Sequence, residues 1–497
     1  MPSLLVAKLS GIPTRRKIIS IIKGYSMADN EICYLTALEM RDMIRNRSLS
    51  AVEVMEAHLR QIESVNPEVN AIITLHADRA MREAEVADAA IVAGNHLGAL
   101  HGLPTAVKDL TVTKGIRTTF GSPIFKDNIP EQDAIIVERT KKAGAVIIGK
   151  TNTPEFGAGS NTFNPLFGAT LNPYDTSKTC GGSSGGAGVS LATRMLPIAD
   201  GTDLGGSLRN PANFNNVVGL RPSPGRVPSI APLGWSTLSV AGPMARTVKD
   251  VALFLSVIAG PDNRSPISIE QPGSIYSGSL DRDFHGVRIA YVPDLDGLPV
   301  DPRISSIISS SVHLLESLGC MVDQVAPDFS DVDDIFKTLR SWGTASVRAE
   351  LLKQHRHLIK ETVVGEIEAG LKLTASEIGK AEERRTAYYQ RMQVFMDTYE
   401  FMVMPVNQVP PFDVTTEYPT EINGIQMETY IDWMKSCYYI STLGHPAVSV
   451  PCGFTEGGLP VGLQIVGRHH DDLGVLQLAN AFEQITGIGT KLPGILA

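Results

Sequence analysis

Apolar residues along the chain recur at two different spacings. After Ser50 they recur every three or four positions, which predicts an amphipathic helix, at Val52, Met55, Leu59 and Ile62. The stretches Thr-Ala-Leu-Glu at 36–39 and Ser-Ala-Val-Glu at 50–53 both match the capping box, which marks a helix start. We therefore expect two capped helices, and we expect Asn-Pro at 66–67 to break the second.

Short apolar runs alternate with helical patterns over the rest of the chain. Strands are predicted at 103–107, 145–149, 287–292, 320–325, 401–406, 447–450 and 461–466. Helices are predicted at 134–143, 187–196, 303–318, 375–398 and 471–485. Segments 262–284 and 407–428 carry Pro, Gly and Ser, and we expect them to be surface excursions. Alternation of this kind predicts one α/β domain with helices on both faces of a sheet.

The first 28 residues differ from the rest because they are basic and contain no acidic residue. Their charges lie mostly after the apolar stretch 4–7, which is the reverse of a secretory signal peptide. We expect residues 1–28 to be a flexible arm or a start-site extension with Met27 as the true first residue. A transit peptide is the alternative. The ordered domain is predicted to cover 29–497.

Composition and charge exclude several classes of protein. Hydrophobic residues make up 43% and charged residues 20%, so the chain can bury a large core and is not a disordered protein. Lys and Arg number 44 and Asp and Glu 53, and the net charge of −9 disfavours nucleic acid as a partner. The five cysteines form no CxxC pair, which favours a reduced, cytoplasmic protein. Apolar runs are far shorter than the roughly 20 residues that span a bilayer, so no membrane association is expected.

Two glycine- and serine-rich stretches stand out, at 179–188 and 201–212. Glycine is used where the backbone must approach a neighbour closely or adopt a positive φ. Such a composition is costly in a core, and it predicts a preorganised pocket built from main chain.

Two familiar motifs match this chain, but their surroundings argue against both. Residues 144–151 fit the phosphate-binding pattern G-x-x-x-x-G-K-[ST], yet the four middle residues Ala-Val-Ile-Ile favour a buried strand. Residues 181–185 fit the nucleophile elbow G-x-S-x-G, which needs a histidine from later in the chain. His445 could supply it, although a buried structural role is the simpler interpretation.

Lys108 ends the predicted strand 103–107. A lysine in that position is ordinarily a surface residue with a buried stem. A buried lysine instead has a lowered pKa and can accept a proton from a serine hydroxyl, as in Ser-Lys variants of the serine triad.

Taken together, Lys108, Gly-Gly-Ser-Ser-Gly-Gly at 181–186 and Gly-Thr-Asp-Leu-Gly-Gly-Ser-Leu-Arg at 201–209 resemble the amidase signature family. The stretches 102–109, 148–156, 240–248 and 458–467 are similar to the same family, so the resemblance covers about residues 35–485. It implies one compact α/β domain with a central mixed β-sheet covered by helices on both faces.

The resemblance also implies a Ser-Ser-Lys catalytic set. Ser207 resembles the nucleophile that forms the acyl-enzyme, Ser183 the bridging serine, and Lys108 the general base. The Gly182–Ser183 peptide bond is cis in the family. The oxyanion hole implied by the family consists of the main-chain N–H groups of Leu204, Gly205, Gly206 and Ser207.

Neighbouring residues have supporting roles. Ser184 is expected either to bond Lys108 or simply to pack. Thr202 is expected to stabilise its loop, and Asp203 and Arg209 to brace the nucleophile loop by pairing. Cys180 is expected to be an inert small residue, with a reactive thiol as the alternative.

The resemblance implies an enzyme that hydrolyses a small-molecule carboxylic acid amide to an acid plus ammonia or an amine, as an amidase of class EC 3.5.1, with EC 3.5.1.4 as the favoured member. No metal or other cofactor is implied. The oligomeric state is left open, and a homodimer is one candidate. The alternative is a glutamine-hydrolysing amidotransferase subunit or a specialised ureido or lactam hydrolase of the same family. Residues 235–243 lack the Ser-Leu-Asp-Gln stretch usual in that subunit, which favours a stand-alone amidase. A nucleotide-binding or catalytically silent protein is a third hypothesis.

The acyl group is harder to predict. Residues 156–161 together with Tyr430, Trp433 and Met434 could line a pocket for an aryl or medium-length acyl group, although ordinary core packing explains each of them equally well.

Overall fold

The computed structural model describes residues 29–496. The expectation for residues 1–28 therefore lies outside the described residues. The helices of at least six residues are α1 Asp29–Tyr34, α2 Ala37–Arg45, α3 Ala51–Val69, α4 Ala77–Val92, α5 Ile135–Lys142, α6 Gly185–Ala192, α7 Arg209–Phe214, α8 Val248–Ile258, α9 Pro302–Ser317, α10 Val332–His355, α11 Glu361–Lys372, α12 Ala375–Thr398, α13 Lys435–Leu443 and α14 Asp472–Thr486. Among these described helices, none is both long enough and apolar enough to cross a bilayer.

The strands form one large sheet and several small ones. They are β1 Ile72–Leu75, β2 Pro104–Lys108, β3 Val146–Thr151, β4 Phe163–Asn164, β5 Gly168–Ala169, β6 Leu171–Asn172, β7 Asp175–Thr179, β8 Ile198–Asp203, β9 Val218–Arg221, β10 Val240–Ala245, β11 Arg288–Tyr291, β12 Met321–Gln324, β13 Phe401–Pro405, β14 Glu421–Ile422, β15 Ile425–Gln426, β16 Ala447–Phe454 and β17 Pro460–Gly467. The eight-stranded sheet has the order β12-β11-β13-β17-β16-β9-β10-β8. It is mixed. The strands β12, β11 and β13 are parallel to one another, and each strand after β13 is antiparallel to the one before it in this order.

Helices cover both faces of the large sheet, as predicted. Successive side chains of a strand point to opposite faces. Phe401 and Val403 accordingly pack in a core with residues of α8, α9 and α14. Met402 and Met404 pack in a second core with residues of α10, α12 and α13. The single α/β domain with a central mixed sheet is therefore confirmed.

Both predicted capping boxes are formed, at Thr36 and Ser50. The predicted break at 66–67 is wrong, because α3 continues through Pro67 to Val69. The proline lies in the last turn, so its missing N–H and its ring disturb only the end of the helix. Asn66 secures the helix end, since its side-chain oxygen accepts the N–H groups of Ala71 and Ile72 at 2.9 and 2.8 Å.

The segment 407–428 is not a surface excursion throughout, because its first five residues are buried. Gln408 explains part of this burial. Its side chain donates to the Pro299 carbonyl at 3.1 Å and accepts the Lys435 N–H at 2.8 Å. The segment therefore joins the start of α13 to the core.

Candidate active site

Lys108 lies at the end of β2 and is fully buried. Its Nζ contacts three hydroxyl oxygens, those of Ser183 at 2.7 Å, Ser184 at 2.8 Å and Thr202 at 2.9 Å. Burial lowers the pKa of Lys108 to about 7, although Asp200 and Asp203 act in the opposite direction. A neutral amine has two N–H donors and one lone pair, so three hydroxyls can satisfy it when one of them donates. The lysine is thus poised to exchange a proton near neutral pH.

Asp200 holds the backbone of this lysine. Its carboxylate accepts the Lys108 N–H at 2.8 Å and the Thr111 hydroxyl at 3.0 Å. A second buried lysine is Lys150. Its ammonium donates to the Thr111 carbonyl at 2.5 Å and the Thr113 hydroxyl at 3.0 Å. The strand end that carries Lys108 is therefore anchored by buried polar contacts.

The two glycine-serine stretches meet at this lysine. Ser183 follows a cis peptide bond from Gly182, as the family resemblance implied. The Ser184 N–H donates to the Ser207 carbonyl at 3.2 Å, which joins one loop to the other. Among the described residues, no hydrogen bond connects the Ser183 hydroxyl to the Ser207 hydroxyl. Catalytic hydrogen bonds are often long without substrate and shorten in its presence.

Asp203 organises the loop that carries Ser207. Its carboxylate accepts Arg209 Nε and Nη2, each at 3.0 Å, and lies 3.2 Å from Arg221 Nη1. It also accepts the N–H groups of Gly206 at 2.9 Å and Leu208 at 3.1 Å. Burial alone would raise the pKa of Asp203, but the two guanidinium groups hold it well below its ordinary value.

The main-chain N–H groups of the Ser207 loop fall into two sets. The Gly206 N–H is already bonded to Asp203. Within residues 29–496, the N–H groups of Leu204, Gly205 and Ser207 make no hydrogen bond. Gly206 has a φ of 118°, and a Cβ there would lie 2.5 Å from Cys437 Cβ, so only glycine fits. Of the four predicted oxyanion donors, Leu204, Gly205 and Ser207 are thus open to a ligand.

A cavity of about 590 Å³, counted to its open mouth, leads to Ser207. Its lining includes residues predicted for an acyl pocket, namely Phe156, Gly157, Ala158, Gly159, Tyr430 and Met434. Trp433 lies instead in the core, where its ring stacks on Phe214. Ser160 and Asn161 are also buried beside the cavity rather than in its wall.

Several contacts of the candidate site were not predicted from the sequence. Thr202 was expected only to stabilise its loop, yet it bonds Lys108. Arg221 pairs with Asp203 from the neighbouring part of the sheet. Arg340, Arg348 and Glu366 line the cavity from α10 and α11. Nothing in their local sequence signals the site, because they reach it only through tertiary packing.

The alternative motifs do not form sites of their own. Residues 146–151 are strand β3, and the Lys150 ammonium is enclosed by Thr111 and Thr113, so this segment is not a phosphate-binding loop. His445 is buried and bonds the Gly467 carbonyl at 2.9 Å and Gln393 at 3.1 Å. Burial raises the pKa of the Cys180 thiol to about 12, which makes it a poor nucleophile. In the described part of the chain, no group of His, Cys, Asp and Glu side chains is arranged to hold a metal ion.

Comparisons with known proteins find relatives over almost the whole chain. Residues 53–476 match the family model described as Amidase. An acylamidase of Rhodococcus erythropolis is 34% identical over 472 residues, which cover 94% of this chain and 98% of that protein. A glutamyl-tRNA(Gln) amidotransferase subunit of Alkaliphilus metalliredigens is 33% identical, covering 92% of this chain and 98% of that protein. The crystal structure of a bacterial aryl acylamidase of the amidase signature family superposes with a TM-score of 0.87 at 29% identity, covering 93% and 100%.

The chain therefore belongs to the amidase signature family, whose members are amide hydrolases.

The buried Asp203 carboxylate, which bonds the N–H groups on either side of Ser207, can be tested by substitution. Asp203→Asn would leave Arg209 and Arg221 buried without their counter-charge. We expect it to lower the free energy of unfolding by about 3–5 kcal/mol. Urea denaturation followed by tryptophan fluorescence measures this change. Asp323→Asn removes an exposed partner of Arg288 and is the matched control, which should change stability far less. Equal effects of the two substitutions would contradict the bracing role.

Proposed function

We propose that this protein is a stand-alone amidase within class EC 3.5.1, which hydrolyses a carboxylic acid amide to an acid plus ammonia or an amine. The reaction proceeds through an acyl-enzyme on Ser207. The observation that carries this proposal is the 2.7 Å contact between the buried Lys108 Nζ and the Ser183 hydroxyl. That contact lies next to a loop whose serine faces a cavity.

Acylation transfers a proton in two linked steps. Neutral Lys108 accepts the Ser183 proton as Ser183 accepts the proton of Ser207. The Ser207 oxygen then attacks the amide carbonyl carbon. The developing oxyanion is held by the N–H groups of Leu204, Gly205 and Ser207, because the Gly206 N–H is bonded to Asp203. One such donor is typically worth about 3–4 kcal/mol of transition-state stabilisation.

Breakdown of the tetrahedral intermediate reverses the proton path. Ser183 donates a proton to the leaving nitrogen, and protonated Lys108 restores the Ser183 proton. The carbon–nitrogen bond breaks, and ammonia or an amine departs. Water, activated by the same relay, then attacks the acyl-enzyme and releases the carboxylic acid with Ser207 restored.

Ser184 and Thr202 keep the lysine in place. Their hydroxyls lie 2.8 and 2.9 Å from Lys108 Nζ, so they fix the direction of the amine while Ser183 exchanges the proton. Asp203 and Arg209 hold the Ser207 loop in its conformation through their buried ion pair.

Amide hydrolysis is tested by incubating the protein with a panel of aliphatic amides, aromatic amides, anilides, glutamine, ureido compounds and lactams. Acid and ammonia or amine are quantified together. We expect equimolar acid and nitrogen product from at least one simple amide. Release from glutamine alone, and only with an added partner chain, would favour an amidotransferase component instead. Selective release from ureido or lactam substrates would favour the specialised hydrolase, and no release from any compound would contradict the proposal.

A further inference from the structure

The cavity that leads to Ser207 contains two arginines on one face of a helix. Arg340 and Arg348 are eight residues apart on α10, so they lie about two turns from each other on the same face. Both side chains line the cavity, and so does Thr344, midway between them. A pair of cations is unexpected in a pocket for a small organic molecule, because such pockets are mostly apolar with few charged groups.

Arg340 already has its counter-charge. Its guanidinium forms an ion pair with Glu366 from α11 and donates to the Tyr430 hydroxyl. The other Glu366 oxygen accepts the Ser341 hydroxyl at 2.7 Å. Arg340 is therefore part of the cavity wall, and its charge is balanced within the protein.

Arg348 differs because Glu155 acts on its charge from a distance, without a direct ion pair. In the described part of the chain it forms no ion pair and no hydrogen bond. Its guanidinium carbon lies 5.1 Å from the centre of the Phe156 ring. Glu155 precedes that ring, but its carboxyl already accepts the Ser122 hydroxyl at 2.6 Å and the Lys360 N–H at 2.8 Å. Arg348 is partly exposed and lines the cavity, so its guanidinium can bind an anion that enters from outside the chain.

The charges of the cavity wall lead to the same conclusion. Its charged lining residues are Arg340, Arg348 and Glu366, which leave one positive charge uncompensated. A guanidinium presents parallel N–H groups that match the two oxygens of a carboxylate. The Phe156 ring covers one side of the Arg348 guanidinium, so an anion can reach it only from the open cavity.

We propose that Arg348 binds a carboxylate of the substrate, so that the substrate is an amide carrying a second, anionic group away from the scissile bond. This inference rests on the proposed amidase function, because it assigns the substrate class of the same cavity. The carboxylate could belong to the acyl part, as in a dicarboxylic acid monoamide, or to the leaving amine, as in an N-acyl amino acid. Both share the chemistry that Arg348 recognises, and the two are separated by experiment.

The test compares matched substrates in both series. Each dicarboxylic acid monoamide and each N-acyl amino acid is paired with its neutral methyl ester, and release of the amide nitrogen is followed. We expect kcat/KM in one series to favour the carboxylate by at least about tenfold, the discrimination that one charge-assisted pair supports. The favoured series identifies the side of the scissile bond that faces Arg348.

Three variants assign this preference to Arg348. Arg348→Gln should reduce the carboxylate-to-ester ratio to about one, mainly through a higher KM, because the contact is made in the ground state as well as in the transition state. Arg348→Lys keeps the charge and should retain part of the preference. Arg356→Gln is the control, because Arg356 is exposed and pairs with Glu361 and Glu368, so the ratio should stay as in the wild type.

Binding of the dicarboxylate product provides a readout that does not depend on turnover. Calorimetry on the Ser207→Ala protein should detect succinate or glutarate if the monoamide series is favoured, or the intact N-acyl amino acid if the other series is, weakened at least tenfold by adding Arg348→Gln. If neutral esters are hydrolysed as well as carboxylates, or if Arg348→Gln leaves the ratio unchanged, the inference is overturned while the amidase proposal stands. If no amide is hydrolysed but the dicarboxylate still binds in an Arg348-dependent way, the amidase proposal fails and the anion subsite stands.

Discussion

Ser207→Ala is expected to lower amide hydrolysis by at least about 10⁴-fold, because the acyl-enzyme can no longer form. The oxyanion donors and the cavity remain in place, so a small residual rate from binding and polarisation is expected. Removing this hydroxyl should hardly affect folding, since among the described residues it makes no hydrogen bond. Initial rates on the best amide of the panel measure the loss.

Two controls accompany that variant. Calorimetric binding of the product acid shows that the cavity is intact. Ser346→Ala removes an exposed serine hydroxyl on α10 that bonds only the Trp342 carbonyl, and its rate should match the wild type. Turnover by Ser207→Ala within tenfold of the wild type would mean that another group is the nucleophile.

Lys108→Arg is expected to lower the acylation rate by at least about 10³-fold. A guanidinium remains protonated at every accessible pH and cannot accept the Ser183 proton, whereas a positioned general base contributes roughly 10²–10⁴-fold. The three hydroxyls around Nζ also leave little room for a larger head group. Single-turnover kinetics on an activated amide measure the acylation step directly.

The pH dependence of the wild type follows from the same lysine. Only neutral Lys108 can accept a proton, and burial lowers its pKa to about 7. Activity should therefore rise from pH 5 to about pH 8 and then level off. Lys114→Arg, at an exposed lysine, should keep this profile. Near-normal acylation in Lys108→Arg, or a flat wild-type profile down to pH 5, is incompatible with a lysine base.

Much of the fold can be predicted from local sequence because its signals are local. Capping boxes at Thr36 and Ser50 depend on side chains three residues apart, and both form. The helix predicted at 375–398 is α12 with the same bounds. The end of α3 could not be predicted in the same way. There, Asn66 bonds residues beyond the helix and allows it to pass through Pro67.

The candidate site likewise has residues that local motifs predict and contacts that local sequence does not predict. Lys108 and the two serine loops are found by their motifs, and the fold brings them within hydrogen-bonding distance. The contacts from Arg221 and Arg348 join residues distant in sequence, so no local pattern contains them. The hydrogen bond from the Gly206 N–H to Asp203 could not be predicted either, because it depends on where the Asp203 carboxylate points.

The most direct test of the account is to identify the residue that becomes covalently modified. The protein is treated with a fluorophosphonate, which reacts with activated serine nucleophiles, and the adduct is located by peptide mass spectrometry. We expect one adduct, on Ser207, formed at least about 10³-fold more slowly in Lys108→Arg because the general base is lost. An adduct on another residue, or equal labelling rates in the two proteins, would contradict it.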